Sequence, residues 1–178
     1  NFEEIKQLTE AGNWDGILAI ISKAAKQLEQ AGADCLLIGA NTMHKIADQI
    51  QAAISIPLFH IAVATAAVVK AREINKVALL GTQYVMLQDF YKNKLIEQGL
   101  EVIIPNTDAI SFINQAIYTE MGKGLFLPET KERFIQIIED LAKKGAQGAI
   151  LGCTEIPILI QQEDVSIPIF DTTRIHVN

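Results

Sequence analysis

Apolar residues along this chain fall into two patterns, short continuous runs and longer stretches with helical periodicity. The short runs predict strands at 35–39, 57–59, 76–80, 101–104, 149–151 and 168–170. The periodic stretches predict helices near 13–31, 41–53, 62–74, 86–98, 108–121 and 128–144. Short apolar runs separated by helices are typical of strands that are buried on both faces of a parallel sheet. The pattern therefore predicts an α/β fold in which helices flank parallel strands.

The chain also contains an internal repeat. Residues 31–40 match residues 144–153, and the distance from Gly32 to Gly145 is 113 residues. Both segments contain a Gly-Ala pair followed by an apolar strand and a small residue. Residues 55–60 then match residues 166–171, because both contain Ser-Ile-Pro followed by two apolar residues. This duplication predicts two supersecondary units of the same design.

We therefore expect two Rossmann-like lobes related by a pseudo-twofold axis, with a cleft between them. Residues 1–62 plus 163–178 are predicted to form the first lobe. Residues 63–162 are predicted to form the second lobe. Equivalent strand ends of the two lobes would then face the same cleft, which is where open α/β sheets bind ligands.

Composition narrows the class of function. The net charge is −6 and Lys and Arg do not cluster, so a nucleic-acid-binding surface is not expected. No apolar run reaches the length of about 18 residues that a membrane-spanning helix needs. The two cysteines, Cys35 and Cys153, do not make a disulfide framework, and no metal-ligand spacing is present. We expect a cytoplasmic, metal-free protein that acts without contact to membranes.

Cys153 is the strongest candidate for chemistry. It follows the predicted strand 149–151 and precedes Thr154 and Glu155, so it lies at a strand-to-helix turn. Free backbone N–H groups at the start of a helix favour a thiolate. The alternative is a small buried cysteine that packs beneath the turn. Position alone leaves both interpretations open.

The equivalent turn of the first copy contains Ala40, Asn41 and Thr42. The side chains of Asn41 and Thr42 offer donors that would suit a carboxylate, although simple helix capping explains them equally well. Thr82, which follows the predicted strand 76–80, has the same two interpretations. His44 is expected either to point into the cleft or to face solvent.

Several short motifs resemble the aspartate/glutamate racemase superfamily. Gly152-Cys153-Thr154-Glu155-Ile156-Pro157 resembles its second active-site motif, and Asn41-Thr42-Met43-His44-Lys45 resembles the first motif of the broad-specificity amino-acid racemase branch. Further segments that resemble this branch are His60-Ile61-Ala62, Val77-Ala78-Leu79-Leu80-Gly81-Thr82, Asp89-Phe90-Tyr91 and Phe170-Asp171-Thr172. Together the motifs cover essentially the whole chain in order.

The resemblance implies a racemase that needs no cofactor and acts on aspartate, glutamate or a related amino acid. Members of the family place one cysteine on each side of the substrate, so that one removes the α-proton and the other returns a proton. By resemblance, Cys153 would be one acid/base. Asn41, Thr42, Thr82 and Thr154 would bind the substrate, and Glu155 and His44 would support them. The resemblance also implies a homodimer.

This sequence departs from the family pattern at specific positions. Ala40 stands where most members carry the other cysteine, and alanine cannot exchange a proton. Val63 and Val85 replace residues that are usually Asp and Thr. Family chains also usually begin about one βα unit earlier, so we expect the first lobe to be incomplete at both termini. Two other functions therefore stay open, a one-cysteine decarboxylase-like enzyme of the same superfamily and a carboxylate-binding pseudoenzyme.

Overall fold

The protein is described by a computed structural model that covers residues 2–178 and contains helices on parallel sheets. The strands are β1 (Leu36–Leu37), β2 (Leu58–Phe59), β3 (Lys76–Gly81), β4 (Glu101–Ile103), β5 (Gly148–Gly152) and β6 (Ile169–Asp171). The α-helices are α1 (Phe2–Glu10), α2 (Trp14–Gln30), α3 (Ala47–Gln51), α4 (Ile61–Ala71), α5 (Gln83–Leu87), α6 (Asp89–Glu97), α7 (Thr107–Thr119), α8 (Pro128–Lys143), α9 (Ile156–Leu159) and α10 (Thr172–Val177). Short 3₁₀ helices lie at Thr42–Ile46, Met121–Lys123 and Gln162–Asp164. Every strand pair is parallel, so the predicted α/β fold is confirmed.

The chain divides into two compact units. The smaller unit comprises the residues up to Ile38 together with Met43–His60. Its sheet contains β1 and β2. The larger unit comprises Gly39–Thr42 and Ile61–Asn178, and its sheet has the strand order β4-β3-β5-β6.

This division differs from the predicted one at the end of the chain. The sequence placed residues 163–178 with the first lobe, whereas β6 is hydrogen-bonded to β5 and α10 packs against α4 in the larger unit. In each copy, the short strand after Ile-Pro pairs with the preceding strand of the same copy, β2 with β1 and β6 with β5. Because β5 belongs to the larger unit, β6 and the end of the chain belong there too. Asn1, which the prediction included in the first lobe, lies outside the described residues.

The larger sheet is buried on both faces. β5 is buried along its whole length, as are five of the six residues of β3. One apolar cluster on these strands includes Phe134 and Leu141 of α8, and the other includes Val69 of α4 and Phe170 of β6. Burial of these side chains supplies the main favourable free energy of folding in this unit.

The smaller sheet is buried less completely. Leu36 is buried, but its neighbour Leu37 is 42% exposed and Phe59, which lies opposite Leu37 in the parallel pair, is 53% exposed. Strands buried on both faces were expected throughout, and for β1 and β2 this expectation is wrong. The apolar runs of β1 and β2 look the same in sequence as those of the larger sheet. Only the packing around a strand therefore decides how exposed it is.

The predicted helices at 41–53 and 86–98 are interrupted. The first consists of the 3₁₀ helix Thr42–Ile46 followed by α3. The second is divided into α5 and α6 because Gln88 adopts an extended backbone conformation. Gly145, which directly follows the predicted helix 128–144, has a φ of +95°, a left-handed value that glycine adopts without a steric cost.

The internal repeat is present in the structure at the level of single hydrogen bonds. Leu36 faces Leu58, and the residues at the matching positions of the second copy, Ala149 and Ile169, face each other in the same register. The side chain of Gln51 accepts from Leu58 N–H and donates to Ile56 C=O. Gln162 makes the same two bonds, with Ile169 N–H and Ile167 C=O.

A glutamate on the preceding helix completes each copy. Glu29 of α2 accepts from the backbone N–H groups of Ser55 and Ile56. Glu139 of α8 accepts from the backbone N–H and the hydroxyl of Ser166, and these bonds lower the pKa of its carboxyl. The repeated sequence therefore specifies a repeated set of main-chain contacts.

Within residues 2–178, the structure contains no helix that is both long enough and apolar enough to cross a membrane.

Candidate functional site

The candidate site begins where two central strands end side by side. Gly81 of β3 and Gly152 of β5 are register partners, and Thr82 and Cys153 follow them directly. A Cβ atom on Gly81 would lie 2.7 Å from the carbonyl oxygen of Gly152, and one on Gly152 would lie 2.9 Å from that of Leu80. Only glycine allows these strand ends to approach so closely. The two glycines therefore bring Thr82 and Cys153 to the same edge of the sheet.

Cys153 is a buried thiol that contacts a carboxylate. Its side chain is free of any disulfide, and the residue is 8% exposed. The thiol donates to Glu155 Oε2 over 2.9 Å, and the hydroxyl of Thr154 donates to the same oxygen over 2.7 Å. One carboxylate oxygen thus accepts from both of the neighbouring side chains, which fixes the arrangement of the turn after β5.

This environment favours the neutral thiol. Burial is the largest cause of a strongly raised Cys153 pKa, and the charge and hydrogen bonding of Glu155 raise it further. The backbone N–H groups of Glu155 and Thr154 act in the opposite direction but are outweighed. The expectation that the turn would favour a thiolate is therefore wrong for the ligand-free protein, because α9 is a short helix and the carboxylate lies closer to the sulfur than a sequence can reveal.

Thr42 and Thr82 form a second pair of polar side chains. Their hydroxyl oxygens lie 3.0 Å apart, although the residues are 40 positions apart in the sequence. Thr82 also caps α5, since its hydroxyl oxygen accepts from Val85 N–H. The turn is held further by Asn114 of α7, which accepts from Gln83 N–H. One hydroxyl proton is needed for the contact between the two threonines, so the other is left to be donated elsewhere.

Asn41 is 4% exposed and donates through Nδ2 to the hydroxyl oxygen of Thr172 over 3.0 Å. Thr172 is fully buried and donates in turn to the carbonyl oxygen of Leu151 in β5 over 2.9 Å. Thr172 is not among the site residues that the sequence predicts. Its only signal was its place in the motif Phe170-Asp171-Thr172, and the contact joins residues 131 positions apart.

The two remaining candidates are Ala40 and His44. Ala40 is partly exposed and belongs with Gly39–Thr42 to the larger unit. His44 belongs to the smaller unit, where it is 2% exposed and packs edge-on against His60 with ring centroids 4.6 Å apart. Of the two orientations left open for His44, exposure to solvent is therefore wrong.

The larger unit thus contains Cys153, Thr154 and Glu155 in one contact group, Thr42 and Thr82 in a second, and Asn41 with Thr172 in a third. In residues 2–178, no group of three or more His, Cys, Asp and Glu side chains is placed to hold a metal ion. The groups that this arrangement offers to a ligand are hydroxyls, an amide and a neutral thiol beside a carboxylate.

Comparison with known proteins places these groups in a family. Residues 1–178 match the family described as Asp/Glu/Hydantoin racemase. Broad specificity amino-acid racemase RacX of Bacillus subtilis (strain 168) is 28% identical over 155 residues, which are 87% of this chain and 66% of that protein. The chain therefore spans slightly less than two thirds of the length of that relative.

Two crystal structures are more similar. A candidate Asp/Glu racemase from Yersinia pestis is 43% identical, with a TM-score of 0.92 over 99% of this chain and 77% of that one. An aspartate racemase homologue from Pyrococcus horikoshii OT3 is 40% identical, with a TM-score of 0.85 over 99% of this chain and 76% of that one. Sequence motifs, fold and overall similarity therefore agree, and the chain belongs to the Asp/Glu/hydantoin racemase family.

Proposed function

We propose that this protein is a cofactor-independent racemase of aspartate, glutamate or a related amino acid, with Cys153 as one acid/base. The observation that supports the proposal is the 2.9 Å contact between the Cys153 thiol and Glu155, at the strand edge that also holds Thr82. A thiol next to a carboxylate has a partner with which it can exchange a proton. Racemisation needs a group of this kind, which both removes and delivers protons.

The proposed proton path starts at the neutral thiol. Glu155 takes the proton of Cys153, which leaves a thiolate and a carboxylic acid. The thiolate then removes the α-proton of the substrate and becomes a thiol again, while the electron pair of the C–H bond passes into the substrate's carboxylate as an enediolate. The Cys153 thiol can return a proton to the same face of the α-carbon, and the resulting thiolate takes back the proton held by Glu155, which restores the neutral thiol and the carboxylate. The raised pKa of Cys153 makes the thiol a weak acid and its thiolate a correspondingly strong base.

The neighbouring donors suit the charge that develops during this step. An enediolate carries more negative charge on its oxygens than the bound carboxylate does, so fixed donors stabilise it more strongly than they stabilise the substrate. Thr42 and Thr82 have one hydroxyl proton left to donate. Asn41 is another proposed donor, through the Nδ2 proton that is not donated to Thr172. Thr154 donates its only hydroxyl proton to Glu155 in the ligand-free protein, so as a donor to the substrate it first has to release that carboxylate. The pairing of Thr42 with Thr82 holds both hydroxyls in place before a ligand arrives.

Ala40 limits the second half of the reaction. The repeat aligns Ala40 with Cys153, so the first copy contributes no thiol for the opposite face of the substrate. Water is left to supply a proton there. We therefore propose that exchange of the α-proton with retention of configuration is faster than inversion.

The same observation supports two other candidate functions. A decarboxylase-like enzyme generates its carbanion by loss of carbon dioxide, so one protonating cysteine is sufficient. A carboxylate-binding pseudoenzyme would use the donors of the site without proton transfer. The three functions predict different labelling in deuterated water, because only a racemase labels the α-carbon of an amino acid that is otherwise unchanged.

The test is proton NMR in deuterated water with L- and D-aspartate and with L- and D-glutamate. Loss of the α-proton signal is expected with the wild-type protein and not with Cys153→Ala, with a fall in rate of at least about a hundredfold. Label in a decarboxylated product only, or ligand-dependent thermal stabilisation without any label, would replace the racemase proposal by the corresponding alternative. Chiral chromatography of the same samples separates exchange from inversion.

Glu155→Gln tests the role of the carboxylate with two readouts that should move in opposite directions. Removal of the negative charge lowers the Cys153 pKa, so alkylation by iodoacetamide at pH 8 should become faster than in the wild type. Removal of the proton acceptor should slow α-proton exchange. In the wild type the neutral thiol persists as the pH rises past the ordinary thiol range of about 8.5, so alkylation should begin only at higher pH. If both readouts fall in Glu155→Gln, the carboxylate has a structural role only.

Assembly and location form a further part of the proposal. The family resemblance supports a homodimer that acts in the cytoplasm on a small amino-acid or other carboxylate substrate. Sedimentation equilibrium over a range of concentrations tests the first point, and a monomer at all concentrations would contradict it. Fractionation of cells of the source organism tests the second.

A further inference from the structure

Thr172 is a buried residue whose single hydroxyl proton is already donated to a main-chain carbonyl oxygen. The hydroxyl lies 2.9 Å from the carbonyl oxygen of Leu151, which can only accept, so Thr172 must be the donor in that bond. Towards Asn41 the hydroxyl oxygen can then act only as an acceptor. Asn41 must therefore present its Nδ2 group, and not its oxygen, to Thr172.

These two hydrogen bonds fix the orientation of an amide whose two ends are nearly equal in shape. The amide of an asparagine can turn over when its surroundings do not distinguish nitrogen from oxygen. Here the order of donors and acceptors distinguishes them, and Asn41 Oδ1 is left buried without a hydrogen-bond partner. An unpaired buried acceptor costs free energy, so a protein keeps one only where another constraint outweighs that cost.

The position of this chain of hydrogen bonds connects it to the site. Asn41 is adjacent to Ala40 in sequence, and Leu151 lies in β5, two residues before Cys153, which directly follows that strand. Thr172 is the first residue of α10 and is fully buried. A single hydroxyl thus ties the turn that contains Asn41 to the strand that presents the thiol.

We infer that Thr172 is a positioning residue, which sets the orientation of the Asn41 amide and thereby the polarity that Asn41 offers to a ligand. The inference rests on the proposed function only in that Asn41 contacts the substrate. Thr172 itself is fully buried and bonds to the amide nitrogen of Asn41 and the carbonyl oxygen of Leu151, so it acts on the ligand only through Asn41. Asp171, its neighbour, caps α10 through the N–H groups of Thr173 and Arg174 and has a separate role.

Two variants of the whole chain test the inference. Thr172→Val keeps the shape of the side chain and removes the hydroxyl, whereas Thr172→Ser keeps the hydroxyl. With ¹⁵N-labelled protein, the Asn41 side-chain amide is assigned from the signal that disappears in Asn41→Asp. One Nδ2 proton protected from solvent exchange is expected in the wild type and in Thr172→Ser, and no protected Nδ2 proton is expected in Thr172→Val.

The kinetic readout separates positioning from simple loss of folded protein. In the α-proton exchange assay, Thr172→Val should raise KM roughly three- to tenfold, which corresponds to the loss of about one hydrogen bond to the substrate. The kcat should change by less than about twofold. Thr172→Ser should restore KM. A smaller folded fraction would lower kcat and leave KM unchanged, so that result would overturn the inference, as would a protected Nδ2 proton in Thr172→Val.

The two proposals fail in different ways. Absence of exchange in the wild type would contradict the proposed function, and the protection of the Asn41 amide would then decide the inference alone. If Thr172→Val does not fold, the wild type and Thr172→Ser decide it. A protected Nδ2 proton in both supports the inference, and rapid exchange of both Nδ2 protons in the wild type contradicts it.

Discussion

The first copy of the repeat, residues 31–60, and the second copy, residues 144–171, share their main-chain contacts and differ in burial and chemistry. In both copies a glutamine side chain holds the second strand by the same two hydrogen bonds, and the strands pair in the same register. In the turn that follows the first strand, however, one copy carries Ala40 and the other carries Cys153.

Burial separates the two copies further. Phe170 of the second copy is 1% exposed, whereas the matching residue of the first copy, Phe59, is 53% exposed. Ile150 is fully buried, and its counterpart Leu37 is 42% exposed. The comparison shows that backbone contacts encoded by a short sequence can be duplicated while the surroundings of each copy remain different. Chemistry then depends on single positions, which change without disturbing the shared contacts.

The largest effect is expected from making the two copies chemically equal. Ala40→Cys places a thiol at the position that matches Cys153, so under the proposed function it adds a group that can exchange a proton with the opposite face of the substrate. Inversion of aspartate or glutamate should become faster by roughly a hundredfold, the usual contribution of one acid/base. Chiral chromatography measures the rate.

Ala40→Ser is the matched control, because serine is similar in size but its hydroxyl is a poor proton donor and base. An unchanged inversion rate in folded Ala40→Cys would show that the two turns do not serve one substrate.

Truncation of the matching phenylalanines tests the difference in burial. Phe170→Ala should lower the free energy of unfolding by about 3–5 kcal/mol, since it removes a fully buried ring from a packed cluster. Phe59→Ala should cost about 1 kcal/mol or less, because the ring is half exposed already. Urea denaturation followed by circular dichroism measures both. Equal losses would mean that the first copy is as well packed in solution as the second.

Matching glycines provide a sharper comparison. Gly152→Ala would place its Cβ 2.9 Å from the Leu80 carbonyl oxygen, so we expect a loss of about 1–3 kcal/mol. A Cβ on Gly39, the matching residue of the first copy, meets nothing within 4 Å. Gly39→Ala should therefore be neutral or stabilising by about 0.5 kcal/mol, through the smaller entropy of the unfolded chain. Thermal unfolding distinguishes the two, and equal melting temperatures would contradict the close approach of β3 and β5.

The smallest effect concerns the contacts that the copies share. Gln51→Ala should cost about 1.5 kcal/mol, because two main-chain groups in a half-buried site lose their partner. Gln162→Ala should cost about 0.5–1 kcal/mol, since Gln162 is exposed and water can replace it. The double variant should lose the sum of the two. Chemical denaturation of the three variants measures these losses of stability. If only one of the two single variants is less stable, the contacts of Gln51 and Gln162 are not equivalent.

Local signals in the sequence predicted the architecture well. The apolar runs located β3 and β5, and the Ser-Ile-Pro blocks located β2 and β6. Among the features that were missed are the extended residue Gln88 between α5 and α6 and the membership of residues 163–178 in the larger unit. Both depend on contacts that no local pattern records.

The candidate site was predicted in part. The strand-to-turn position of Cys153 followed from an apolar run and the residues after it. Its protonation did not, because the pKa of a thiol depends on burial and on the distance to Glu155. Thr172 was not predicted as a site residue because its contact with Asn41 joins residues 131 positions apart, and no local sequence pattern indicates it.

By itself, the sequence determined the alternation of strands and helices, the duplication, and the single cysteine at the end of β5. These features depend on the spacing of apolar residues and on turn chemistry, which act over a few neighbouring positions. Only the tertiary structure decided that Thr42 meets Thr82, that Asn41 meets Thr172, and that Cys153 is held as a neutral thiol. Those outcomes depend on distances between residues far apart in the chain and on exclusion of water, which exist only once the elements have packed.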